Sequence, residues 1–388
     1  MTQAILTLNA GSSSLKFALF PVTDDFPALM RGKIAGIGTA ARFTATDHDG
    51  KPVTQPMGVK PDAQHDALIP DLLRWLGRQF PDVTITAVGH RVVHGGRSFK
   101  VPALVTPEVL DTLTDLVPLA PLHQPHNIAA IRRVAALLPK VPQVACFDTS
   151  FHRTQDRLAQ LFALPRAMTD DGVIRYGFHG LSYDYIAGVL PDYTDRAQGK
   201  VVVAHLGNGA SMCALSKGRS TATSMGFTAL DGLMMGQRCG AIDPGVLLYL
   251  MDAKGMTAAQ LSTLLYTQSG LLGVSGISPD MAVLQASAAP QAHQAIDLFC
   301  YRAANELTAL ATANGGLDAI VFTAGIGERS ALVRAQICER LAWLGVDIDP
   351  EANAENAPRI STDTSAIEVL VIATDEEIVI AEATRRWA

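Results

Sequence analysis

The chain has 388 residues, 48% of them apolar, a formal charge of -6 and a pI near 5.9. That length predicts two domains, each able to bury a core, and the acidic balance argues against a nucleic-acid partner, which needs a basic face. The five cysteines are scattered without a CxxC, which argues against a disulfide framework or a zinc site and for reduced thiols in the cytoplasm. Polar residues break the first apolar run, against a cleavable leader, and no run of about 18 apolar residues is present to span a membrane.

Residues 5–20 read as strand, polar turn, strand. The apolar first arm ends in Asn9, the turn is Gly11 with Ser12, Ser13 and Ser14, and the second arm alternates Leu15, Phe17 and Leu19 with Lys16 and Ala18. Glycine permits a sharp turn close to a ligand, and serine hydroxyls, turn amides and Lys16 suit phosphate oxygens. The same residues equally make an ordinary surface turn. Residues 21–60 read as further short strands, residues 66–80 as a helix with Ile69, Leu72, Leu73, Leu76 and Phe80 on one face, and residues 84–88 as a strand. Gly89-His90-Arg91-Val92-Val93-His94-Gly95-Gly96 then reads as a loop at a strand end, where α/β proteins place ligand groups, or as a glycine loop with one surface arginine.

A Pro-bounded loop over residues 119–127, with His123, leads into a helix that buries Ile128, Ile131, Val134, Ala135 and Leu138. A buried strand over residues 141–147 ends at Asp148, placed either for a substrate or magnesium-bound water or, with Thr149 and Ser150, to cap a helix. Arg175 and His179 follow in a glycine-bracketed segment. Residues 201–215 repeat the opening design, with Gly207-Asn208-Gly209 as the turn. Asn-Gly is a hairpin signal by itself, yet two such hairpins, each heading half of the chain, point to a duplicated domain with a phosphate-binding turn in each copy.

Residues 225–240 form a long glycine-shaped loop in which Arg238 is the only full positive charge. Asp243-Pro244 opens a helix, and residues 293–313 make a longer amphipathic one. Residues 319–330 read as strand, Gly325-Ile326-Gly327 turn and helix start, a geometry that accepts a nucleotide. After a strand over residues 369–373, Thr374 and Glu377 read as a capping box, which leaves Glu376 for chemistry or for favourable charge at the helix start.

Together these motifs resemble the acetokinase family of carboxylate kinases over essentially the whole chain. The resemblance is carried by Leu8–Lys16, Gly89–Gly96, Phe147-Asp148-Thr149, Tyr176–Gly180, His205–Gly209, Arg238, Gly325–Glu328 and Glu376. It implies an α/β fold of two duplicated RNase H-like domains, of the actin and sugar-kinase type, with the active site in the cleft between them. Residues 1–148 plus about 378–388 would form the N-terminal lobe and residues 149–377 the nucleotide-binding lobe. It implies reversible phosphoryl transfer from ATP to acetate, giving ADP and acetyl phosphate with magnesium or manganese, by a homodimer joined through the second domain.

Site residues follow from the same resemblance. Arg91 is expected on the substrate carboxylate, Val93, Leu122 and Phe178 around its acyl group, and Asp148, His179 and Arg238 in catalysis, the last two on the equatorial phosphoryl oxygens. Ser12, Ser14, Lys16 and the turn His205, Leu206, Gly207, Asn208, Gly209 are expected on the ATP phosphates. Asp280, Met281 and Ala282 with Gly325, Ile326, Gly327, Glu328 and Arg329 are expected at the nucleoside end, and Asn9 and Glu376 on magnesium through water. A carboxylate substrate, pKa about 4, carries no proton to remove near neutral pH, so Asp148 is expected to order magnesium water or to hold Arg91 or Arg238. The chain departs from the family pattern at Ala229 (usually Pro), Ala282 (usually Arg) and Asp375 (usually Asn). Competing readings are a propionate or butyrate kinase of the same family, a sugar kinase of the same fold, and an actin-like or chaperone-like ATPase, which leaves Arg91, His179 and Arg238 without a task.

Overall fold

A computed structural model describes residues 2–11, 14–23, 26–63 and 65–388. Ser12, expected on the ATP phosphates, lies outside these residues. The chain forms two compact units, Met1–Phe151 with Asp375–Ala388, and His152–Thr374.

In the first unit, β1 (Thr2–Ala10), β2 (Ser14–Pro21), β3 (Met30–Ala35) and β4 (Arg42–Asp47) form an antiparallel meander. On its other side β1 pairs in parallel with β5 (Val83–Val92), and β5 with β7 (Gln143–Phe147); the short β6 (Ala103–Leu104) pairs antiparallel at the far edge. The order is β4-β3-β2-β1-β5-β7-β6. The apolar run of β1 is explained by burial on both faces. Leu6 and Leu8 join Leu15, Phe17 and Leu19 in a core closed by the helix His65–Gln79. Ile5, with Ala18, Phe20 and Ala87, packs on the other face with Ala381 of the C-terminal helix Glu376–Arg385. Gly89 lets that helix lie against the sheet: a Cβ there would come within 2.4 Å of Thr384 Oγ1 and 2.5 Å of Ile380 Cγ2.

In the second unit, β8 (Lys200–Leu206), β9 (Ala210–Ser216) and β10 (Arg219–Thr223) form the antiparallel meander, and β8, β11 (Ala319–Thr323) and β12 (Glu368–Val371) run parallel. The order β10-β9-β8-β11-β12 repeats β3-β2-β1-β5-β7 strand for strand. The duplication read from the two hairpins is therefore present as two α/β sheets of one topology.

Four local readings are corrected. β5 runs on to Val92, so His90 and Arg91 lie in a strand rather than a loop; pairing with both β1 and β7 outweighs the Gly89 signal. Gly325 and Gly327 lie inside the helix Ala324–Arg329, not in a turn before it. The C-terminal helix is capped by Asp375, whose carboxylate accepts from the amide of Ile378 at 3.1 Å, not by Thr374. The Thr374 hydroxyl is engaged instead with Ser182 at 2.9 Å. Ala135 is exposed, outside the buried face of the helix Gln124–Leu137.

Candidate active site

Three adjacent parallel strands of the first unit end side by side, and each delivers one polar group. Asn9 is the penultimate residue of β1, Arg91 that of β5, and Asp148 follows β7 directly. Arg91 Nε donates to both Asp148 oxygens, at 2.9 and 3.2 Å, Nη2 donates to Oδ2 at 2.5 Å, and Nη1 donates to Asn9 Oδ1 at 3.1 Å. Burial opposes the charge of Arg91, but Asp148, Glu376 and Glu377 outweigh it and raise its pKa. Asp148, at 1% exposure, thus has its negative charge matched and its geometry fixed by a planar fork.

Glu376 and Glu377 open the C-terminal helix, so their charges meet the positive end of its dipole as well as Arg91. Burial raises the pKa of Glu377, and Lys16 counters it. Lys16 and Ser14 lie in β2, Lys16 opposite Asn9 in the ladder. Asn9 and Glu376 both border Arg91, and each has an oxygen that a hard cation accepts as ligand, one an amide carbonyl and the other a carboxylate. Among the described residues no three His, Cys, Asp or Glu side chains cluster as a protein-only metal cage. Magnesium does not need one, since it keeps several waters and takes one or two carboxylates with substrate phosphates. Val93 is buried just past β5, whereas Leu122 is 44% exposed.

The second unit, taken by itself, holds a tight turn with two imidazoles and a guanidinium around it. Gly207 N donates to Gly209 O at 3.1 Å, closing the turn between β8 and β9, and Gly236 N donates to Asn208 O at 3.0 Å. A Cβ on Gly209 would meet Arg238 Nη2 at 2.7 Å and His179 Nε2 at 3.5 Å, so glycine is what admits both groups. The rings of His179 and His205 stack, 4.3 Å between centroids and 19° between planes. His205 Nδ1 lies 2.8 Å from Ser182 Oγ, and Arg238 Nη1 donates to the carbonyl of Ala229. Phe178, beside His179, is buried; Leu206 is buried at the end of β8.

A cavity of about 450 Å³ in the same unit, within the range of small-molecule sites, gathers residues from three segments. Gly207 and Asn208 come from the turn, Asp280, Met281 and Ala282 from the start of a short helix, and Gly325, Ile326 and Arg329 from the helix after β11. Asp280 accepts from the amides of Ala282 and Val283 and so caps the helix Met281–Gln285. Gly327 and Glu328 are not on the cavity wall: Gly327 is buried in its helix, and Glu328 Oε1 accepts from Thr374 N at 3.2 Å.

Some positioning groups carried no signal in the sequence. Asn127 accepts from Val93 N at 3.0 Å and donates to Ala10 O at 2.7 Å, tying the end of β5 to the end of β1. Gln124 brackets His94, accepting from its amide at 3.2 Å and donating to its carbonyl at 3.0 Å. Gln285 lines the cavity and bonds Ser330. Only the polarity of Gln124 and Asn127 points to them, and they open the helix Gln124–Leu137 where the sequence reads as a loop around His123. His90, by contrast, is a core histidine: it sits 2.7 Å from the Gln143 amide, and burial pushes its pKa down to about 4.

The sequence matches the Acetokinase family over residues 4–382. It is 53% identical to an acetate kinase of Rhodopseudomonas palustris over 398 aligned positions, covering 100% of this chain and 99% of that protein. Among solved structures, a propionate kinase from Francisella tularensis is similar at a TM-score of 0.90 and 35% identity, covering 99% of both chains. The acetate kinase of Porphyromonas gingivalis is similar at a TM-score of 0.86 and 35% identity, again covering 99% of both.

Proposed function

The chain belongs to the acetokinase family of carboxylate phosphotransferases, and from that premise we propose that it is an acetate kinase that moves the γ-phosphoryl group of ATP to acetate and back. The observation that carries this reading is the guanidinium of Arg91, partly exposed and held by Asp148 and Asn9 at the ends of three parallel strands. A guanidinium so oriented suits a small carboxylate, and Val93 supplies an apolar neighbour for its methyl group. An acetate oxygen attacks the γ-phosphorus directly, the bond to the bridging β,γ-oxygen breaks, and ADP leaves with that electron pair. No proton moves, because the acceptor is already ionised.

Catalysis is then positioning and charge stabilisation. Arg238 and His179, both at Gly209, donate to the equatorial oxygens of the transferring group. Asp148 acts through Arg91, holding its plane and charge. Ser12, Ser14, Lys16 and the amides of the 205–209 turn take the ATP phosphates, and the cavity beside Ala282 and Arg329 takes the nucleoside. Asn9 and Glu376 would hold magnesium through water, which supplies charge neutralisation on the phosphates when bound. The reaction is expected in the cytoplasm, where ATP is available as co-substrate.

Two further points belong to this reading. Propionate is a second acceptor, because Ala229 puts only a methyl group where the family usually has proline, and one methylene is worth only about 1–3 kcal/mol of discrimination. The chain pairs as a homodimer through its second unit. No residue of the apolar helix Pro244–Asp252 is buried, and Leu248, Tyr249 and Met251 are all exposed. Leu248→Asp should convert a sedimenting dimer into a monomer; an unchanged sedimentation coefficient removes this face from the interface. The activity itself is tested by trapping acyl phosphate with hydroxylamine in the presence of acetate, propionate or butyrate, each with ATP or GTP. Acetate with ATP should give the highest kcat/KM, and a maximum at butyrate, or no trapped product, would overturn the assignment.

A further inference from the structure

His179 adopts the left-handed region, φ +57°, immediately before the helix Gly180–Val189. Tyr183, four residues on, lies on the same side of that helix. Ser211 reaches the same place from β9. His179 Nδ1 is 2.8 Å from Ser211 Oγ, and that hydroxyl is also hydrogen-bonded to Tyr183 Oη. Tyr183 is fully buried, and burial lifts its pKa well above the ordinary phenol value, so it stays a neutral O–H. On its other edge His179 presents Nε2 to Gly209 beside Arg238, with its ring stacked on His205.

Ser211 Oγ has one proton and two neighbours to satisfy. A phenol is a better donor than an aliphatic hydroxyl, and an imidazole nitrogen is the best acceptor of the three. The favoured order therefore runs from Tyr183 O–H to Ser211 Oγ, and from Ser211 O–H to His179 Nδ1, each bond polarising the next. An imidazole that accepts at Nδ1 keeps its single proton on Nε2. The charge of Arg238, beside the same glycine, opposes a second proton.

We propose that Tyr183 and Ser211 are positioning residues that hold His179 as the neutral Nε2–H tautomer, a donor of fixed direction next to the cationic Arg238. The inference rests on the reading of His179 as a phosphoryl contact and adds what sets its proton. Nothing is transferred along the two bonds; they orient. The charge on that side of the reaction comes from Arg238 and the direction from His179.

Two measurements on the full-length protein test this. In steady-state kinetics, Ser211→Ala and Tyr183→Phe should each lower kcat about 10-fold with KM for acetate and ATP unchanged within about 2-fold. That is less than the roughly 100-fold expected when a transition-state donor is itself removed. The double variant should be no worse than Ser211→Ala, Ser211→Thr should recover most of the rate, and neither change should matter in a His179→Ala background. In the wild-type protein labelled with 15N-histidine, His179 should show a protonated Nε2 and a bare Nδ1, a readout that needs no altered chain to fold. A proton on Nδ1, a doubly protonated ring, or kcat losses that persist in the His179→Ala background would overturn the relay. If His179→Ala leaves kcat intact, the phosphoryl assignment beneath it fails and the catalytic part of the relay falls with it, while the spectra still decide the tautomer separately.

Discussion

A guanidinium and a carboxylate largely removed from water carry a desolvation cost, and removing one partner leaves the other's share uncompensated. Arg91 and Asp148 stand in this relation, Asp148 being the more deeply buried of the two. Asp148→Asn should therefore lower stability by about 3 kcal/mol in urea unfolding and lower kcat/KM for acetate at least about 100-fold as Arg91 loses its fixed plane. Its rate profile should keep the wild-type shape across neutral pH; a wild-type limb that vanishes in the variant would show that Asp148 is a base after all. Asn9 and Asp148 are legible as polar residues that end apolar runs, Arg91 only as a residue of a loop after a strand, and of their mutual bonds only that of Asp148 with Arg91 is among the outcomes the sequence leads one to expect. Asn127 and Gln124 were not legible, because they bond backbone atoms distant in sequence, and helical periodicity does not say which polar side chain turns inward.

Elements were read well where one period dominated and poorly where two signals competed. Both hairpins and the helix opened by Asp243 and Pro244 stand where periodicity and capping put them. At the C-terminal helix two capping residues, Thr374 and Asp375, were adjacent, and tertiary bonding decided between them. Asp375 also takes both terminal nitrogens of Arg31, so one carboxylate starts the helix and ties it to β3. The glycines of residues 89–96 read as a loop, but Gly89 serves the contact between β5 and this helix. Gly89→Ala would drive a methyl group into Thr384 and Ile380, and should cost about 1–3 kcal/mol of stability with the helix displaced from the sheet. Unfolding at the wild-type urea midpoint would show that the contact is not as close as described.

For the molecule as a whole, duplication was visible in the sequence as two Gly-rich hairpins, and the repeated strand order accounts for it. Each unit also buries one histidine with its pKa pushed down to about 4 by burial, His90 in the first and His152 in the second. The unfolded side chain takes up its proton from about pH 6.5, whereas the folded one stays neutral until about 4. Between those values the unfolded state binds more protons, so stability falls as pH falls, by about 3 kcal/mol per histidine at the lower end, and is fully present above 6.5. Glu306 and Glu377, raised by burial, work in the opposite direction. The variants therefore carry the test: His90→Gln and His152→Gln should each flatten the loss of stability between about pH 6.5 and 4, and an unchanged slope in both would refute the buried neutral rings. Under the proposed function, Arg91 receives the carboxylate that accepts the phosphoryl group. The most direct measurement is ATP-dependent formation of hydroxylamine-trappable acetyl phosphate by the wild-type chain and by Arg91→Ala, with ATP binding followed in parallel. Product is expected from the wild type, its loss at ordinary acetate concentrations in the variant, and retained ATP binding in both; undiminished product from Arg91→Ala would refute the role of Arg91.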